Sequence, residues 1–126
     1  MEVFKEYLSV VPSTEVQIRR LTRIELPRAL SVADCTAESA RAWGITAEIH
    51  SSPDYTKPRE WAAAFAQSGF DGICYFLRHD PAQRLTGIAL FGPAGSPSGF
   101  PAGISEPIGD DLIQEIAVRF GIRVLR

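Results

Sequence analysis

The stretch from residue 72 to residue 92 constrains this chain more than any other. GICYFL (residues 72–77) and LTGIALFG (residues 85–92) carry the two strongest strand signals in the sequence. Between them, HDPAQR brings Asp80 and Pro81, residues that favour a turn through a local side-chain hydrogen bond and a fixed φ. The two runs therefore predict a β-hairpin or two adjacent antiparallel strands. A two-stranded hairpin is marginal alone, so the rest of the chain must cover it. The clearest cover is KPREWAAAFAQSG. Pro58 fits a first helical turn, and Trp61, Ala62, Phe65 and Ala66 form an apolar stripe. Gly69 then stops the helix and lets Phe70 pack back on Phe65. Helix and strand signals alternate without the regular βαβ spacing of a doubly wound array, which predicts an α+β domain with a small mixed or antiparallel sheet and flanking helices.

EVFKEYLSV places Val3, Phe4, Tyr7 and Leu8 on one face of a short helix that Pro12 ends. The part from Leu21 to Leu26 suits a strand, with Ile18, Leu21, Ile24 and Leu26 inside. ALSVADC predicts another strand, with Leu30 and Val32 on one face. Thr36 reads as the N-cap of TAESARAW, with Glu38 in the first turn and Gly44 as the stop. HSSPDYT reads as a loop. GPAGSPSGFPAGISEP is a long Gly/Pro/Ser-rich connection, and its lack of a terminal Lys-Ser/Thr argues against a phosphate-binding loop. A last amphipathic helix runs from Asp110 to Phe120, with Leu112, Ile113, Ile116, Ala117 and Phe120 inward. Gly121 stops it and IRVL adds a terminal strand.

With 126 residues the chain fits one domain. A formal net charge of −2 argues against direct nucleic-acid binding. No apolar run reaches bilayer-spanning length and no signal peptide opens the chain, so the expected location is cytoplasmic, off the membrane. Cys35 and Cys74 lack metal spacing and read as small buried hydrophobes. His50 with Asp54, and His79 with Asp80, lack the spacing of a metal site, so no metal is expected. Arg19, Arg20 and Arg23 read as a solvated face balanced by Glu15 and Glu25.

Four segments in order, LTRIELPRALSVADCT, DYTKPREWAAAF, FDGICYFLRHDP and IALFGPAG, resemble the RES domain, a bacterial toxin family found beside Xre-type antitoxins. The resemblance covers residues 2–95. It implies an ADP-ribosyltransferase-like fold and a toxin that degrades NAD+ by hydrolysis or phosphorolysis of the nicotinamide–ribose bond. NAD+ is then substrate and no cofactor is implied. The expected macromolecular partner is an Xre-type antitoxin that occludes the NAD+ pocket. Breaking that bond builds an oxocarbenium-like ribose, which a carboxylate stabilises, while an Arg fork clamps the pyrophosphate.

Carried over by position, the family Glu falls on Glu2 and the family Ser on Leu77. Tyr55, Leu77, Arg78 and His79 are the NAD+-binding candidates. The family Arg lies upstream of Glu2, so the resemblance implies a RES domain truncated at its N-terminus. Such a chain is expected to be inactive or very weak alone, with a sheet edge left open to self-association. On this reading residues 1–95 form the truncated core, 96–109 a loop, and 110–126 a helix and short strand packed on the same domain. The alternative is a catalytically dead remnant or an antitoxin-binding module.

Overall fold

The structure, a computed structural model, describes residue 7 and residues 9–93 and 103–125. The expected α+β class is borne out. The chain divides into two compact units, residues 1–27 with 98–126, and residues 28–97.

In the first unit, β1 (Val10–Pro12) lies parallel to β7 (Arg123–Leu125), with Val11 opposite Val124. Helix α1 (Ser13–Gln17) starts straight after Pro12. Pro12 thus closes a strand and precedes a helix, where its missing N–H costs little. Strand β2 (Arg20–Arg23) pairs antiparallel with β6 (Ile104–Pro107). Helix α4 runs from Asp110 to Phe120, as its periodicity predicts, and Gly121 ends it at φ +67°. Val11, Val16 and Ile122 form the buried centre, with Tyr7, Ile108, Ile113, Ile116, Phe120 and Val124 packed around it. The inward face of α4 is the expected one, and its outward face carries Val118 at 90% exposure.

The expected burial of Ile18, Leu21, Ile24 and Leu26 is corrected: all four are exposed. The β-propensity is real, but β2 lies in a two-stranded ribbon whose residues are all exposed, so its apolar side chains have no layer to enter. Strand β6 is a second correction, since it lies inside the expected connection. Its sequence is poor in strand formers, and pairing to β2 brings it into the ladder. Gly103 allows that approach, because a Cβ there would fall on the Arg23 carbonyl oxygen. The expected opening helix falls mostly on residues 1–6 and 8, outside the described residues, as do residues 94–102 of the Gly-rich connection; where it is described it is corrected, since Val10 is already in β1 and Pro12 ends a strand rather than that helix.

In the second unit a three-stranded sheet has the order β3 (Val32–Asp34), β4 (Gly72–Phe76), β5 (Thr86–Leu90). The hairpin expectation is borne out: β4 and β5 are antiparallel, with Cys74 opposite Ile88. Strand β3 is parallel to β4. A 3₁₀ helix (Glu38–Trp43) and α2 (Glu48–Ser51) follow β3, and α3 (Thr56–Gln67) leads into β4. Cys35, Ala40 and Ile45 make the buried centre, flanked by Ile49, Trp61, Phe65 and Ile73. Both cysteines are free thiols, Cys35 buried and Cys74 half-buried.

The stop of α3 has the expected form. Gly69 has φ +88°, Phe70 N–H donates to the Phe65 carbonyl at 3.1 Å, and the two rings meet edge to face at 5.6 Å. Three local expectations are corrected. Ala66 is exposed, so the buried stripe of α3 is narrower than expected. His50 and Ser51 are helical rather than part of the loop. Thr36 does not cap the next helix: its hydroxyl donates to Asp34 Oδ1 at 2.6 Å, because the carboxylate two residues back captures it first.

Candidate functional site

The turns of the 28–97 unit are built on aspartates. Asp34 Oδ1 accepts the Thr36 N–H at 2.9 Å as well as its hydroxyl, and those bonds hold the carboxyl below its usual range. Asp54 does the same for Thr56, at 2.9 Å from the N–H and 2.7 Å from the hydroxyl, with the same effect on its carboxyl. The sequence thus carries one Asp-X-Thr turn twice, once leaving β3 and once entering α3.

Asp71 has a different task. Arg28 grips it through its two terminal guanidinium nitrogens, at 2.6 and 3.1 Å, and the Ser31 N–H donates to it at 2.8 Å. The Arg28 hydrogen bond is the main reason its carboxyl falls to about 2. Asp71 also bonds both neighbouring strands through its backbone, its N–H to Ser31 and its carbonyl from Phe91. Gly72 follows because a Cβ there would strike the Ala89 carbonyl oxygen across the sheet.

The loop joining β4 to β5 is organised by Asp80, which is only 6% exposed. Its carboxylate accepts N–H groups from Arg84, Leu85 and Ala82, at 2.7, 2.8 and 3.1 Å. Burial alone would raise this carboxyl, but those donors outweigh it and leave it lowered. Gln83, at φ +51°, is the one non-glycine in the left-handed region among the described residues, and its N–H donates to the Asp80 carbonyl.

Just beyond the C-terminal ends of the parallel pair β3 and β4 lies a cleft of about 480 Å³. Thr36, Glu38 and Arg41 line it after β3, and Thr46 and His50 follow on α2 and the segment before it. Phe76, the last residue of β4, and Gln83 complete it. The ends of parallel strands are where open α/β sheets place ligands, and this volume falls in the range of small-molecule sites. His50 is fixed in the wall. Its Nδ1 accepts the Phe76 N–H at 3.3 Å, and its ring meets Phe76 edge to face at 5.2 Å. Burial pushes the imidazole below its usual pKa, and a hydrogen bond to the Cys35 backbone partly opposes this. The thiol of Cys35, also in the wall, is raised by burial and then by nearby Asp34 and Cys74. The residues that line the cleft therefore bring together one guanidinium, one carboxylate, a neutral imidazole, two hydroxyls and one aromatic ring.

The residues singled out from sequence fall elsewhere. Glu2 lies outside the described residues. Tyr55 is exposed at the start of α3, between the two partners of the second Asp-X-Thr turn. Leu77 is half-buried beside Gly87, where a Cβ would come within 2.9 Å of its Cδ2. Arg78 is exposed. His79 is half-buried, and its Nε2 is buried with no hydrogen-bond partner among the described residues. None of these four lines the cleft, although Leu77 directly follows Phe76. Arg41, Thr46, Phe76 and Gln83 escaped the sequence reading. The one available signal was that several of them stand next to predicted strand ends, where functional residues concentrate. No group of three or more His, Cys, Asp or Glu residues that could hold a metal ion occurs among the described residues. No helix among them is long and apolar enough to cross a membrane.

No protein-family model, curated protein or solved structure matches this chain.

Proposed function

We propose that the chain is a RES-type domain of ADP-ribosyltransferase-like fold. On this reading it takes NAD+ in the cleft beyond β3 and β4 and acts on the nicotinamide–ribose bond as the toxin of a toxin–antitoxin pair. One observation carries the reading. Parts of all four resembling segments meet in one unit, and the two that end in VADCT and FDGICYFLRHDP border one cleft with a guanidinium, a carboxylate and a fixed neutral imidazole. In this assignment Arg41 clamps the pyrophosphate through its planar fork. Glu38 faces the cationic ribose as the bond to nicotinamide lengthens. His50, neutral and held by Phe76, orients a ribose hydroxyl.

The test is to incubate the full chain with NAD+, with and without phosphate, and to follow binding by calorimetry and nicotinamide by chromatography. The expected result is saturable binding with slow nicotinamide release, and Arg41→Ala weakens both roughly 10- to 100-fold through loss of charge-assisted bonds. A chain that neither binds NAD+ nor releases nicotinamide overturns the reading. Leu77 favours a second reading, a catalytically silent domain that binds an antitoxin. It puts an apolar side chain packed beside Gly87 at the position where the resemblance expects a hydroxyl. Binding without release, together with co-purification of a helix-turn-helix protein from the native cell, selects that second reading.

A further inference from the structure

The ribbon of β2 and β6 has two unlike faces. Register places Arg20 opposite Pro107 and Thr22 opposite Ser105 on one face, with Leu21 opposite Glu106 and Arg23 opposite Ile104 on the other. The first face is tied together by its own side chains. Arg20 donates to the Ser105 hydroxyl at 3.2 Å and to its carbonyl at 2.9 Å, and the Thr22 hydroxyl donates to Ser105 at 3.1 Å. The second face is open. Leu21 is 42% exposed and Ile104 77%, and neither Arg23 nor Glu106 has an ion-pair partner among the described residues.

The four residues of that face form a checkerboard. Leu21 and Ile104 occupy one diagonal, Arg23 and Glu106 the other. This pattern is complementary to itself. A second ribbon laid face to face about a two-fold axis along the Leu21–Ile104 diagonal sets Leu21 on Leu21 and Ile104 on Ile104. It also sets Arg23 on Glu106 in both directions. A two-fold along the strands would put Leu21 over Glu106, and one across them would put Leu21 over Arg23, so only the diagonal axis satisfies all four positions. Ordinary strand spacings make the two ribbons cross at roughly 70°, close to orthogonal sheet packing. The geometry points to this face as an isologous contact between two copies of the chain, an inference independent of any reading of the cleft. The contact is small, so the dimer is weak and depends on concentration.

The test is sedimentation velocity on the full chain over a concentration series, with Arg23→Glu, Glu106→Arg and an equimolar mixture of the two variants. Both positions are exposed, and circular dichroism checks that each variant folds. The wild type is expected to shift from monomer to dimer as concentration rises. Each reversal places like charges together twice and weakens association about tenfold. Mixing the variants restores it, because each altered residue then meets an opposite charge in the other chain. Leu21→Ser weakens the dimer without restoration in any mixture, and Arg20→Ala, on the tied face, leaves it unchanged. A monomer at every concentration, a dimer indifferent to both reversals, or a mixture that stays monomeric overturns the inference.

Discussion

Both units have a buried apolar centre, but they differ in what fixes the path of the chain around it. The 28–97 unit is one continuous segment, and polar bonds between near neighbours set its turns: Asp34 to Thr36, Asp54 to Thr56, Asp80 to Arg84 and Leu85. The other unit joins two distant segments, and its centre is aliphatic: Val11, Val16 and Ile122. Polar turns hold the ends of strands in fixed positions, which is what a ligand cleft needs. The aliphatic centre joins distant segments but the residues of the β2–β6 ribbon stay exposed, and in the inference above that ribbon meets a second copy of the chain. The cleft and the self-complementary face accordingly fall in different units.

The largest test of this contrast is Gly72→Val. The added side chain would meet the Ala89 carbonyl, so β4 and β5 cannot keep their register. The expected outcome is loss of dispersed amide signals for residues 28–93 in nuclear magnetic resonance spectra, while those of α4 and β7 persist. Collapse of both sets together would show that the units do not stand apart in stability.

Val11→Ala probes the opposite unit. Val11 is 1% exposed, and removing two buried methyl groups costs about 2 kcal/mol. Trp43 and Trp61 both lie in the 28–97 unit, so tryptophan fluorescence follows that unit selectively. The variant is expected to lower the chemical-denaturation midpoint seen by amide signals of α4 and leave the tryptophan midpoint in place.

Acid sharpens the contrast further. Asp71 titrates near 2 when folded, against an ordinary 3.8. A carboxyl lowered on folding adds stability that is complete above its unfolded pKa and is lost as pH falls toward its folded one. Asp34, Asp54 and Asp80 shift in the same direction. Tryptophan fluorescence should therefore report progressive loss of structure as pH drops from about 4 toward 2. Asp71→Asn should make that loss less steep; an unchanged acid profile would remove Asp71 from the scaffold. The smallest effect belongs to the exposed Lys57–Glu60 pair at 3.1 Å. Lys57→Ala is expected to change stability by less than about 0.5 kcal/mol in the same denaturation experiment.

What could be read from sequence follows the same division. The hairpin of β4 and β5, the Phe65–Phe70 stop of α3 and the extent of α4 were legible, because their contacts lie within a few residues or across one loop. The pairing of Arg20 with Pro107, 87 positions away, left no local mark, and neither did the exposure of Leu21 and Ile104 that follows from it. Asp71 and Gly72 stood out as a motif, but their spacing carried no sign that they brace the sheet. The cleft was the least legible part. It depends on β3 lying parallel to β4, which brings Thr36 and Arg41 to Phe76 and Gln83.

In the proposed function, labour is divided within the 28–97 unit: aspartates fix the turns and the cleft takes NAD+. Titrating NAD+ into isotope-labelled full chain while following backbone amides tests it directly. The expected result is saturable shifts centred on Thr36, Arg41, Thr46, His50, Phe76 and Gln83. Shifts centred on Tyr55, Arg78 and His79, or no shifts at all, would contradict it.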